Sequence, residues 1–183
     1  MRFFAGVTIR YANRIMKKQA VLLAALVCLL ASDVRAQSDP LAAARFLIGK
    51  WTYVNTGKPG EPTGWTSFAS SLGDRVIVRL SNAKYPAAAG RAAYTHEDML
   101  VISSVPGAIR GDYYDNAGYV SRYTVTSPVP NTVVFTSDKV KDQVRARLSY
   151  KLEANGRLTA YYEAAPANAP EKFAIYAVWS LQR

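Results

Sequence analysis

Cysteine and histidine are almost absent from this chain of 183 residues, which has one of each, Cys28 and His96. One cysteine closes no intrachain disulfide, so the fold must rest on its core. Downstream of Cys28 there is no thiol for catalysis or metal ligation. A lone imidazole also excludes a zinc centre built from several histidines of one chain, and no metal site is expected. Long apolar runs are scarce as well. The longest, residues 20–31, falls well short of the ~20 residues that cross a bilayer as a helix. Runs of basic residues are missing too. Lys and Arg are scattered, which reads as a solvated surface and not as a nucleic-acid footprint.

What is present begins with an address. Met16, a better start than Met1, precedes Lys17-Lys18, the apolar run 20–31 and Val34-Arg35-Ala36. A positive segment, an apolar stretch and small residues at a cleavage point make residues 1–36 a secretory signal peptide. Val27 is not the small residue that lipidation of Cys28 requires. The expectation is cleavage after Ala36, no stable membrane anchor, and a single mature domain over 37–183 in the periplasm or outside the cell. The leader carries half of the formal charge of +10. It holds six of the 23 basic residues and one of the 13 acidic ones, which leaves 17 against 12.

Asp39 is placed to cap a short helix, with Pro40 at its first position and 41–47 continuing it. After Gly49 the hydrophobic pattern has period two and keeps it. Extended segments are expected at 66–71, 75–81, 94–103, 109–114, 119–127, 132–137, 144–152, from 158 onward, and at 173–181. Between them stand the turn signals Gly73-Asp74, Pro106-Gly107, Asp115-Asn116-Ala117-Gly118 and Asn155-Gly156. About eight to ten strands joined by short turns make an all-β, up-and-down antiparallel meander. Closure into a barrel removes the exposed edges of such a sheet.

Phe46-Leu47-Ile48-Gly49-Lys50-Trp51 sets a Gly-x-Trp motif one short helix into that meander. It resembles the start of the calycin barrels, which are the lipocalins, fatty-acid-binding proteins and nitrobindins. The run 79–102, with Asn82, Tyr85-Pro86 and His96-Glu97-Asp98, together with Tyr113-Tyr114-Asp115-Asn116-Ala117-Gly118, is similar to a group of bacterial lipocalin-like proteins of unknown function. The resemblance covers nearly all of 45–183. It implies a tryptophan, Trp51, closing the barrel floor beneath a basic side chain, for which Arg183 is the candidate. Nitrobindins hold haem through a histidine near the C-terminus, but residues 97–183 contain none and 49–54 lack that family's repeated glycines. No cofactor is expected; Tyr176 or His96 would be the substitute ligands.

His96 and Asp98 share one strand face, the arrangement in which a carboxylate orients an imidazole as a general base. Arg79, on a neighbouring strand, is placed to stabilise an oxyanion if it points inward. The bland alternative makes these polar positions at an exposed strand end. Eleven of the twelve tyrosines lie after the leader, and Tyr94, Tyr113, Tyr119, Tyr123, Tyr150 and Tyr162 are candidates for an inward, ligand-binding face. Asp112, Asp115 and Asn116 lack the spacing of a calcium loop and read as a turn. No Gly-x-Ser-x-Gly elbow supports a serine hydrolase. The reading is a binder or carrier of a small, largely apolar molecule. The alternatives are an isomerase, cyclase or hydrolase using His96, Asp98 and Arg79, or a solid barrel acting through its surface. Export is checked by mass spectrometry of protein from a native periplasmic fraction, which should begin at Gln37; full-length protein in the cytosol is the opposing result.

Overall fold

The computed structural model describes residues 39–88 and 90–183. The leader expected over 1–36, its cleavage point at Ala36, and Cys28 lie outside the described residues. Ten strands follow a 3-10 helix, Ala42–Leu47: β1 (Gly49–Tyr53), β2 (Thr63–Ser71), β3 (Val76–Tyr85), β4 (Tyr94–Val105), β5 (Ala108–Asp115), β6 (Val120–Thr126), β7 (Thr132–Ser137), β8 (Arg145–Leu152), β9 (Leu158–Ala165) and β10 (Ala174–Gln182). Each pairs antiparallel with its sequence neighbours, and β1 closes on β10 to complete a barrel. This is the all-β meander that the two-residue period dictates.

The β8–β9 hairpin shows how sequence sets register. Asn155 accepts the Arg157 backbone N–H on its side-chain oxygen at 3.0 Å, and Gly156 supplies a left-handed φ of 80°. The tight turn pairs Leu152 with Leu158 and Tyr150 with Ala160 on the inner face. Arg145 and Arg147 then fall on the outer face. There Arg147 forks onto Glu163 at 2.7 and 2.5 Å, Arg145 reaches Glu171 at 2.6 Å, and both guanidinium groups lie over Phe173.

The N-terminal helix departs from expectation in its type. It is a 3-10 helix whose N-cap is Leu41, with no side-chain cap bond there, and it runs on from a turn at Pro40 and Leu41. The reason is the period of its buried face. Leu41, Ala44 and Leu47 are all buried, and a spacing of three suits the three-residue turn of a 3-10 helix.

That face closes one end of the barrel. Trp51 is fully buried beside it and donates its indole N–H to the Leu47 carbonyl at 2.7 Å. The Arg183 guanidinium lies 4.5 Å over the Trp51 ring and donates to the carbonyls of Phe46 and Ile48 at 3.2 and 3.1 Å. Gly49 has φ +136°, and a Cβ there would stand 3.3 Å from Arg183 Nε. Only glycine lets the chain pass beneath that side chain without strain. Phe68, Ile77, Leu100, Ile102, Val133, Phe135, Leu158 and Leu181 form one core cluster with the helix and Trp51. Trp51→Ala should cost about 3–5 kcal/mol of unfolding free energy in urea titrations. A loss below about 1 kcal/mol would show that the ring is not part of the closed floor.

Candidate functional site

Arg79 on β3 and Tyr150 on β8 project inward from strands five places apart in either direction around the ten-strand ring. They are diametrically opposed, yet Arg79 Nη1 donates to the Tyr150 hydroxyl at 2.5 Å. Arg79 Nη2 donates to the Asp98 carboxylate on β4. The register of β3 on β4 explains that contact. Ser81 stands opposite Asp98 and Arg79 opposite Leu100, so Arg79 and Asp98 are diagonal neighbours on the inner face, within reach of a long side chain. The Tyr150 ring is in turn held edge-on by Phe68 at 5.4 Å and Phe135 at 6.2 Å. At the same level a Cβ on Gly111 would meet Leu100 at 3.0 Å. The bore is therefore crossed and filled at mid-height. Below, the inward side chains form the buried apolar core; above, toward the β3–β4 and β5–β6 turns, those of His96, Tyr113, Ser121 and Tyr162 are only partly buried, and this upper section of the bore is its chamber.

His96 belongs to that upper chamber. Its Nε2 stands 3.0 Å from the Tyr113 hydroxyl and 3.5 Å from Asp98 Oδ2. Tyr113 donates onward to Asp115 Oδ2 at 3.4 Å. The His96 side chain is 32% exposed and that of Asp98 only 6%, so solvent reaches the imidazole but not the carboxylate beside it. Burial alone would raise the Asp98 carboxyl, but Arg79 and His96 more than offset it and hold it below its ordinary range. Burial likewise opposes the charge of Arg79, while Tyr150 and Asp98 hold it protonated. The hydrogen bond to Asp98 raises His96. An orienting carboxylate, an imidazole and a phenol in one chain of contacts can bind a polar group or move a proton.

Tyrosines build the rest of the wall. Tyr123 meets Tyr113 edge-to-face at 6.1 Å, Tyr162 meets Tyr176 at 5.8 Å, and Tyr53 meets Trp179 at 6.5 Å. Burial raises the hydroxyls of Tyr53, Tyr113 and Tyr162 and pushes those of Tyr123 and Tyr150 up to about 12. All remain neutral phenols near neutral pH.

The fold thus brings together Arg79, Asp98, His96, Tyr113 and Tyr150, with Tyr123 joined through Tyr113. Tyr94 sits at the rim, stacked on Tyr85 at 4.7 Å beneath Arg91 at 4.6 Å. Tyr119 does not face inward as expected. It is 70% exposed because Asp115 Oδ1 takes its backbone N–H at 2.9 Å and keeps it in the turn. Sequence reasoning missed Tyr53, although two-residue alternation from Trp51 points to it. It also missed the second role of Asp115, whose turn signal concealed its contact with Tyr113.

Among the described residues no three His, Cys, Asp or Glu side chains gather to hold a metal ion. A shallow groove of about 360 Å³ on the barrel wall, bordered by Trp65, Leu80, Asn82, Glu97, Met99 and Tyr114, does not include His96. Comparison with known protein families finds no match for this chain, and comparison with curated proteins finds none either.

The raised His96 value carries a sign. Stability gained from the protonated imidazole is full below its unfolded value of roughly 6.5 and is lost as pH rises through the folded value. The melting temperature of the wild type should therefore exceed that of His96→Gln by more at about pH 5.5 than at about pH 9. Equal margins at both would show that the Asp98 contact contributes nothing.

Proposed function

We propose that this protein is an exported, lipocalin-like member of the calycin barrels that binds or carries a small, largely apolar molecule in the open half of its barrel. The observation that supports this most is the division of the bore by Arg79 and Tyr150. Inward side chains in the half beside the helix are buried, whereas Tyr53, His96, Tyr113, Ser121 and Tyr162 in the other half are only partly buried, mostly aromatic faces with a few polar groups among them. Mostly apolar concave surface with sparse directing groups is the usual make-up of a small-molecule site. A closed barrel of this size can enclose one small ligand. Trp51 beneath Arg183 supports the family assignment, because that is the floor the resemblance implies. Residues 1–36 support export.

A second reading rests on the contact of His96 with Asp98 and Tyr113. In it the same chamber performs acid–base chemistry on its ligand, with His96 transferring the proton and Asp98 positioning the ring.

Binding is tested with the neutral fluorophore N-phenylnaphthylamine, which the purified protein should bind at micromolar affinity, about −8 kcal/mol. Ser121 faces the chamber opposite Tyr113 and is half-buried. Ser121→Phe should weaken the fluorophore at least about tenfold while the melting curve stays cooperative. No binding, or binding indifferent to Ser121→Phe, would sink the proposal. His96→Ala separates the two readings. A carrier should keep most of its affinity for the neutral probe, and an enzyme should lose about 10²–10⁴ in turnover with binding nearly intact.

A further inference from the structure

The upper chamber differs from a simple apolar pocket in three ways, and together they specify a ligand. The first is depth. The Arg79–Tyr150 contact spans opposite walls at 2.5 Å, and the level beneath it is occupied by Phe68, Phe135 and Leu100, each at most 2% exposed. An extended alkyl chain has no channel to descend.

The second is the shape of the wall. Tyr53, Tyr113, Tyr123 and Tyr162 stand on β1, β5, β6 and β9, distributed around the ring. Their contacts with Trp179, with one another and with Tyr176 lie between 76° and 86°. Rings held edge-to-face leave edges and faces for a further flat ring, the packing that aromatic quadrupoles favour.

The third is an imbalance of hydrogen-bonding groups. Donors are in excess. Arg79 Nε is a buried N–H with no acceptor, His96 reaches solvent, and the phenols retain their protons. The carboxylates are already engaged, Asp98 by Arg79 and His96 and Asp115 by Tyr113 and two backbone N–H groups. Arg79 Nε is itself enclosed, so a ligand oxygen of negative character would accept from His96, the donor that solvent reaches.

We infer that the chamber takes a small planar aromatic molecule carrying an anionic oxygen, such as an aromatic carboxylate or phenolate of one or two rings, and discriminates against alkyl acids of equal charge. This rests on the binding reading above and adds the ligand's shape and charge. The ring inserts among the tyrosines, and the oxygen is directed toward His96.

Isothermal titration calorimetry with three probes tests it at about pH 6, where the imidazole is largely protonated. Naphthoate supplies the ring and the charge, decanoate the charge without the ring, and methylnaphthalene the ring without the charge. Naphthoate should bind at least about tenfold tighter than either of the others. His96→Gln should erase the margin over methylnaphthalene while preserving the margin over decanoate. Decanoate or methylnaphthalene binding as tightly as naphthoate would overturn the inference and leave the binding proposal standing. So would capture of N-phenylnaphthylamine with no detectable naphthoate. Failure of every probe, N-phenylnaphthylamine included, would remove both.

Discussion

Everything distinctive about the interior of this barrel depends on one guanidinium. Arg79 is buried and fully charged between Asp98 and the Tyr150 hydroxyl. Placing an ion pair in a protein interior costs several kcal/mol per ion unless further hydrogen bonds complete it. Here Tyr150 supplies one to the cation and His96 another to the anion. The arrangement therefore needs four side chains from three strands, β3, β4 and β8, to be present together. The depressed Asp98 value makes this support dependent on ionisation. It holds above the ordinary carboxylate range and fades as pH falls through the folded value. The cluster fixes the distance between opposite walls, and with it the depth of the chamber above.

The two ends of the barrel use arginine in opposite ways. Arg183 spreads its guanidinium flat over Trp51 and gives its N–H groups to helix-end carbonyls, so it seals an apolar floor by stacking and by capping exposed acceptors. Arg79 stands in the bore and meets formal charge. Planarity and a fork of donors suit both tasks, and lysine would serve neither. The seal makes one end solid. The other end keeps its polar groups within reach of water.

The all-β fold was legible because period-two alternation and turn residues agree over most of the chain. Asn155-Gly156 and the alternation of Ala146, Leu148 and Tyr150 against Arg145, Arg147 and Ser149 set one hairpin, and the remainder repeat its logic. The helix was legible in its place but not in its type, because the three-residue spacing of Leu41, Ala44 and Leu47 answers to the barrel floor they cover. At the site, the shared face of His96 and Asp98 followed from spacing alone. Whether that face pointed inward did not, since alternation has no sense of inside until the sheet closes. The partnership of Arg79 with Tyr150 was beyond reach. It joins positions 71 apart and exists only because closure brings β3 opposite β8.

The seam where β1 meets β10 has a kinetic meaning. Ten cross-strand pairs join β3 to β4, but only Thr52 with Gln182 and Tyr53 with Leu181 join β1 to β10. Every other ladder links strands adjacent in sequence and can zip from its own turn. The seam joins residues 130 positions apart, so its loop-closure entropy is the largest in the molecule and its formation comes late along the folding route. That ladder also has the fewest pairs of the ten to hold it against local parting. Arg183, one residue beyond the seam and resting on Trp51 across it, is the clasp that slows that parting.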